Sequence, residues 1–195
     1  MKRSRHAAVA LLGAAAFGLA ACQETPATDA ASFKDLDSCL AAATPGGWFT
    51  PEDCQSTFAE AQKLHDETAP RYDDAALCEQ EHGAGNCQAD PSASAQGGGM
   101  GSVFMPLMMG YLLGSMLGGG RPVAQPIMTK PGGGFTTPGG TSIGNIGGAG
   151  KVPTDAFTKA PVTKGQPAMS AADVSKRGGF GATGSSRSTG TSLGG

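Results

Sequence analysis

Four cysteines, Cys39, Cys54, Cys78 and Cys87, lie within a stretch of about 60 residues and limit the fold more than any other feature of the chain. A segment that short buries too little apolar surface to hold itself together by core packing alone. An even set of cysteines in it therefore reads as two disulfides. Four cysteines admit three pairings. The local one, Cys39–Cys54 with Cys78–Cys87, is expected because each bond closes a short loop between or beside helices. Zinc is the rival reading, with His65 and His82 as extra ligands. Structural zinc sites present tight knuckles such as Cys-x2-Cys, whereas the intervals here are 14, 23 and 8 residues. Neither metal nor cofactor is expected, and His65 and His82 read as ordinary helix residues.

The cysteines also mark a weak repeat. An aromatic stands six residues before three of them (Phe33, Trp48 and Tyr72), and a cap-type residue stands four before (Asp35, Thr50 and Asp74). Such residues start helices by accepting a hydrogen bond from a backbone N–H of the first turn. Thr50-Pro51-Glu52-Asp53 adds proline at the first helical position and acids at the positive end of the helix dipole. That helix runs to Thr68 and is stopped by Ala69-Pro70; the next ends near His82, with Gly83 as its terminator. The fold class expected for residues 31–89 is a small all-α, disulfide-stapled domain of three short helices with no sheet. The three aromatics read as its core.

A fifth cysteine, Cys22, has a different setting. Lys2, Arg3, Arg5 and His6 precede an uncharged run from Ala7 to Ala21, a basic region followed by an apolar one, as in secretory signals. The run is too short to span a bilayer, which takes about 20 apolar residues. Its end, Leu19-Ala20-Ala21-Cys22, resembles the lipobox of bacterial lipoproteins. Residues 1–21 therefore read as a signal peptide, Cys22 as the lipid-attachment residue and 22–30 as a linker. Several acyl chains on Cys22 would anchor the chain stably to membrane lipid. Gln23 and Glu24 are not the aspartate that retains many such lipoproteins at the inner membrane. The expected address is thus the periplasm-facing cell envelope, with the outer membrane favoured.

Thr68-Ala69-Pro70-Arg71-Tyr72, followed by Cys78, Gly83, Gly85 and Cys87, resembles the YgiB family of bacterial proteins of unknown function. The apolar run from Phe104 to Tyr111, the late motif Arg177-Gly178-Gly179-Phe180-Gly181 and the final Gly194-Gly195 resemble the same family. The resemblance covers most of residues 31–120 and implies architecture and address rather than activity. Family members are often encoded beside ATP-grasp amide ligases. This implies an alternative role as a substrate modified at its C-terminus, through the carboxylate of Gly195 in Gly194-Gly195.

From Met100 to Leu117 there is no charge, and Gly110, Gly114 and Gly118 recur every four residues. On a helix these form a small-residue stripe that lets partners approach closely. Residues 100–118 therefore read as an apolar Gly/Met-rich helix for self-association or membrane contact, or else as a segment that completes the core of the cysteine domain, although Pro106 is comfortable only in a first helical turn. Residues 119–195 are rich in Gly, Pro, Ser and Thr and read as a long disordered tail. Charge divides along the chain. Residues 23–90 hold 14 acids against Lys34, Lys63 and Arg71, a net of −11. Residues 119–195 hold eight Lys and Arg against Asp155 and Asp173, a net of +6. The basic tail would attract the acidic domain or an anionic envelope polymer. One RGG-like copy in an exported chain does not indicate nucleic acid. No serine elbow, phosphate loop or paired carboxylate in a plausible pocket stands out, and Glu60, Asp66 and Glu67 read as a solvated helix face. The expected role is non-enzymatic: a membrane-anchored structural or interaction protein of the cell envelope.

Overall fold

The computed structural model describes residues 26–93, 102–115, 122–145 and 147–176. The signal segment, Cys22, Gly118, Gly194 and Gly195 lie outside the described residues. In chain order the elements are β1 (Ala27–Phe33), α1 (Leu36–Ala42), α2 (Pro51–Thr68), α3 (Ala75–His82), β2 (Cys87–Ala89), β3 (Phe104–Pro106), β4 (Gly110–Gly114), β5 (Val123–Thr129), β6 (Phe135–Thr136), β7 (Ser142–Ile143), β8 (Gly148–Pro153), a 3-10 turn (Thr154–Phe157) and α4 (Ala171–Lys176).

Three helices start at the cap residues marked by the repeat. The Asp35 carboxylate accepts from Ser38 N at 2.8 Å, Thr50 Oγ1 from Asp53 N at 3.2 Å, and the Asp74 carboxylate from Leu77 N at 3.1 Å. Each satisfies a first-turn donor that would otherwise lack a partner, worth about 1 kcal/mol. Helix α2 ends at Thr68, before Pro70, and α3 at His82, where Gly83 has φ 87°.

The all-α expectation is nevertheless overturned. The architecture is mostly β: six antiparallel strands in the order β7-β6-β5-β4-β1-β8, with β2 and β3 as a separate pair. Residues 104–114 form β3 and β4, not a helix. All five positions of β4, Gly-Tyr-Leu-Leu-Gly, are buried. Tyr111 and Leu113 join Phe33, Phe49, Cys39 and Cys54 under α1 and α2. Leu112 packs with Ile127, Ile143 and Ala156 on the opposite face, over the 3-10 turn. A strand covered on both faces shows a continuous apolar run instead of alternation, so its period does not distinguish it from a helix.

The glycine stripe also has a different cause. A Cβ on Gly114 would collide with the Phe157 ring, and one on Gly110 with the Phe33 carbonyl oxygen. Gly110 and Gly114 thus admit a ring and a neighbouring backbone of the same chain, with no helix for them to join. The expected disorder fails across 123–176 too, where Gly-Pro-rich sequence forms β5 to β8 and α4. At the β5–β6 turn, Gly132, Gly133 and Gly134 have φ of 77°, 92° and 85°, which side-chain-bearing residues avoid. Among the described residues no helix is long and apolar enough to cross a membrane.

The disulfides are Cys39–Cys54 and Cys78–Cys87, with Cα–Cα separations of 5.8 and 6.2 Å, which is the local pairing. The first joins α1 to α2; the second joins α3 to β2. Phe33 and Tyr72 are core residues, but Trp48 is 44% exposed, and its neighbour Phe49 takes the buried place against Phe33.

Candidate functional site at the Thr68–Tyr72 crossover

Pro70 ends α2, and the residue before a proline is driven out of helical geometry. Ala69 accordingly adopts φ −58°, ψ 138°, and the chain crosses over from α2 to β3 as Thr68-Ala69-Pro70-Arg71-Tyr72. Thr68, Ala69, Arg71 and Tyr72 are all buried. Tyr72 exchanges two backbone hydrogen bonds with Phe104, both 2.8 Å, so the crossover extends the edge of the small β2–β3 sheet.

A buried arginine must place its donors. Arg71 Nε donates to Asp90 Oδ2 at 2.6 Å, Nη1 to Thr163 Oγ1 at 2.7 Å and to the Ala69 carbonyl at 3.2 Å, and Nη2 to the Asp66 carbonyl at 2.7 Å. The ion pair is almost fully enclosed, at 3% and 2% side-chain exposure. Burial alone would raise the Asp90 carboxyl, but hydrogen bonds from Ser92 and Arg71 outweigh it and hold the group below its ordinary range. The network fastens the C-terminal half of the chain as well. Thr163 N donates to the Glu67 carbonyl, Thr163 Oγ1 to the Ala69 carbonyl, and Met169 N to the Arg71 carbonyl.

Two histidines complete the arrangement. His82 Nδ1 lies 2.8 Å from the Thr129 carbonyl, which can only accept, so Nδ1 carries the proton. In the neutral ring Nε2 then accepts from the Tyr72 hydroxyl at 2.9 Å. By the same logic His65 Nε2 donates to the Pro106 carbonyl at 3.0 Å. Burial pushes the His65 imidazole below its usual range, against the opposing pull of that carbonyl.

Tyr72, His82 and Met128 floor an open cleft of about 200 Å³, walled by Glu81, Lys130 and the turn through Pro138. Past Pro70 and Pro138 a second cleft, about 210 Å³, runs along Ala160 to Met169. The mixture of apolar floor, hydroxyls and two opposite charges suits binding. Of the sequence-marked residues, His82 and Tyr72 meet at the first cleft, whereas His65 lines neither cleft and bonds the Pro106 carbonyl. The four cysteines sit in their bonds to either side, and Gly110 and Gly114 lie in β4. Nothing in the sequence groups Arg71 with Asp90 and Thr163; its one signal for them is Arg71 within the Thr68–Tyr72 run.

This chain belongs to the family described as "Protein of unknown function (DUF1190)", which matches residues 27–190. That bears out the family resemblance read from the sequence. A UPF0441 protein of Klebsiella pneumoniae subsp. pneumoniae is 34% identical, over 93% of this chain and 89% of the relative. One from Pectobacterium carotovorum subsp. carotovorum is 33% identical over 92% and 81%. One from Erwinia tasmaniensis is 38% identical over 57% and 51%. No solved structure matches.

Proposed function

We propose that this chain is a lipid-anchored structural or interaction protein of the bacterial cell envelope, held by acylated Cys22 and working without catalysis. The observation that carries this reading is the pair of disulfides in a fold that begins immediately after the lipobox. Disulfides persist in oxidising compartments outside the cytoplasm. Strand β1 starts at Ala27, so only residues 23–26 separate it from Cys22. Ala27 follows Cys22 by five residues, a reach of at most about 18 Å, and the sheet would be held near the lipid surface rather than on a long leash. The buried titratable groups support a non-catalytic reading, since Arg71, Asp90, His65 and His82 are spent on one another and on backbone carbonyls. Gln23 and Glu24 favour the outer membrane.

The test is fractionation with intact mass. Wild type should pellet with membranes and carry acyl mass on residues 22–195, short of four hydrogens for the two disulfides. Cys22→Ala should move to the soluble fraction. Wild type without acyl mass, or a Cys22→Ala protein that stays in the membrane pellet, would overturn the anchor.

A further inference from the structure

The late motif Arg177-Gly178-Gly179-Phe180-Gly181 has no part in the function proposed above, and the cleft beside Tyr72 and His82 has no assigned occupant. We propose that this motif docks on that cleft, with Phe180 as the side chain that fills it. The inference does not depend on where the chain is anchored.

Three observations converge on it. The first is reach. Helix α4 ends at Lys176, and its Val174 is packed in one cluster with Tyr72 and Cys78. Phe180 follows Val174 by six residues, a span of at most about 20 Å when extended. Tyr72 belongs both to that cluster and to the cleft, so α4 packs beside the site that the motif would fill. The second is chemistry. An aromatic ring suits a floor of Met128, Tyr72 and Pro70 flanked by Pro138. Gly178, Gly179 and Gly181 leave the backbone around that ring free to turn and to approach closely. The third is charge. Glu81 walls the cleft, and Glu79, Asp73 and Asp74 lie on or just before the same helix, α3. Residues 177–195 carry Arg177 and Arg187 and no acid. The cation on the cleft wall, Lys130, already donates to Ser142 Oγ at 2.9 Å. The family match extends beyond α4 to residue 190, which includes the motif in the family's shared unit.

The experiment uses the full chain, isotope-labelled for NMR, beside a Phe180→Ala variant. Cross-peaks from the Phe180 ring to the Met128 methyl are expected in wild type. In the variant the Met128 methyl and His82 ring signals should shift. Trypsin cleavage after Arg177 should be several-fold faster in the variant, because a docked segment must open before it is cut. Phe180→Leu should restore part of the protection. Absent cross-peaks with unchanged signals, or equal cleavage rates, would overturn the proposal. So would cross-peaks that arise only between labelled and unlabelled chains in a mixed sample, since the occupant would then be a second copy.

Discussion

The chain has two tyrosines, and they sit in regions built on opposite terms. Tyr111, in β4 beneath α1 and α2, is fully buried among Phe33, Phe58 and Leu113, and its hydroxyl is hydrogen-bonded to nothing among the described residues. Burial, with the Asp35 charge adding to it, pushes that phenol up to about 12. Tyr72, at the crossover, is 1% exposed and gives its hydroxyl to His82. The helix-covered face is held by apolar area and edge-to-face rings, and it tolerates an orphan hydroxyl. The crossover is held by matched polar groups, each of which loses its partner if the other is removed. Buried polar networks are therefore strong only while complete.

The largest break in this contrast should come from Arg71→Ala. It strands the Asp90 carboxylate, already buried, and is expected to cost about 3–5 kcal/mol in chemical denaturation. A loss below about 1 kcal/mol would show that water reaches the pair. Replacing Cys39 and Cys54 together by alanine should cost about 3 kcal/mol, from the freed loop of the unfolded chain. Removing Cys78 and Cys87 frees a shorter loop and should cost slightly less on that account, so a larger loss there would show that the second bond also holds the polar network in register.

Tyr72→Phe leaves His82 Nε2 without that donor and should destabilise by about 1–3 kcal/mol. Tyr111→Phe should have the opposite sign and raise the unfolding free energy by about 1 kcal/mol, by removing a buried hydroxyl that pays desolvation for no bond. Equal effects from the two tyrosines would erase the distinction between the regions.

The smallest expected effect is a pH dependence confined to the crossover. His65 is harder to protonate in the folded protein than in the unfolded chain. Its contribution is unchanged at pH well above 6.5 and is lost as pH falls from the unfolded value, about 6.5, toward the lower folded one. Denaturation midpoints at pH 7.5 and 5.5 should differ less for His65→Gln than for wild type.

What was legible in the sequence was local. Asp35, Thr50 and Asp74 act within one turn of themselves, and each cysteine pair closes a loop of 9 or 15 residues. The sheet was not legible, because its strands come from distant parts of the chain and carry weak individual patterns. Gly148–Pro153 reads Gly-Ala-Gly-Lys-Val-Pro and becomes a strand only because it pairs along β1, from Ser32 opposite Gly148 to Ala27 opposite Pro153. Val123–Thr129 contains Pro126, which argues against a central strand. Strand β6 pairs only with Met128 and Thr129, so among the described residues no strand pairs with the outer side of β5 at Pro126, where proline is tolerated. Arg71 was visible only as part of a motif, since its partner Asp90 is 19 residues away and Thr163 is 92.

The position of β1 has a consequence for the order of assembly. It is made before any other strand, yet its neighbours are β4 and β8, whose residues begin at Gly110 and Gly148. Contacts of such separation close late, because long loops must be ordered before pairing rewards them. The helices and the Cys39–Cys54 loop can form while β1 is still bare on both sides. A chain cut short before Pro153 would therefore carry a completed staple beside an open strand edge, the kind of edge that recruits other chains.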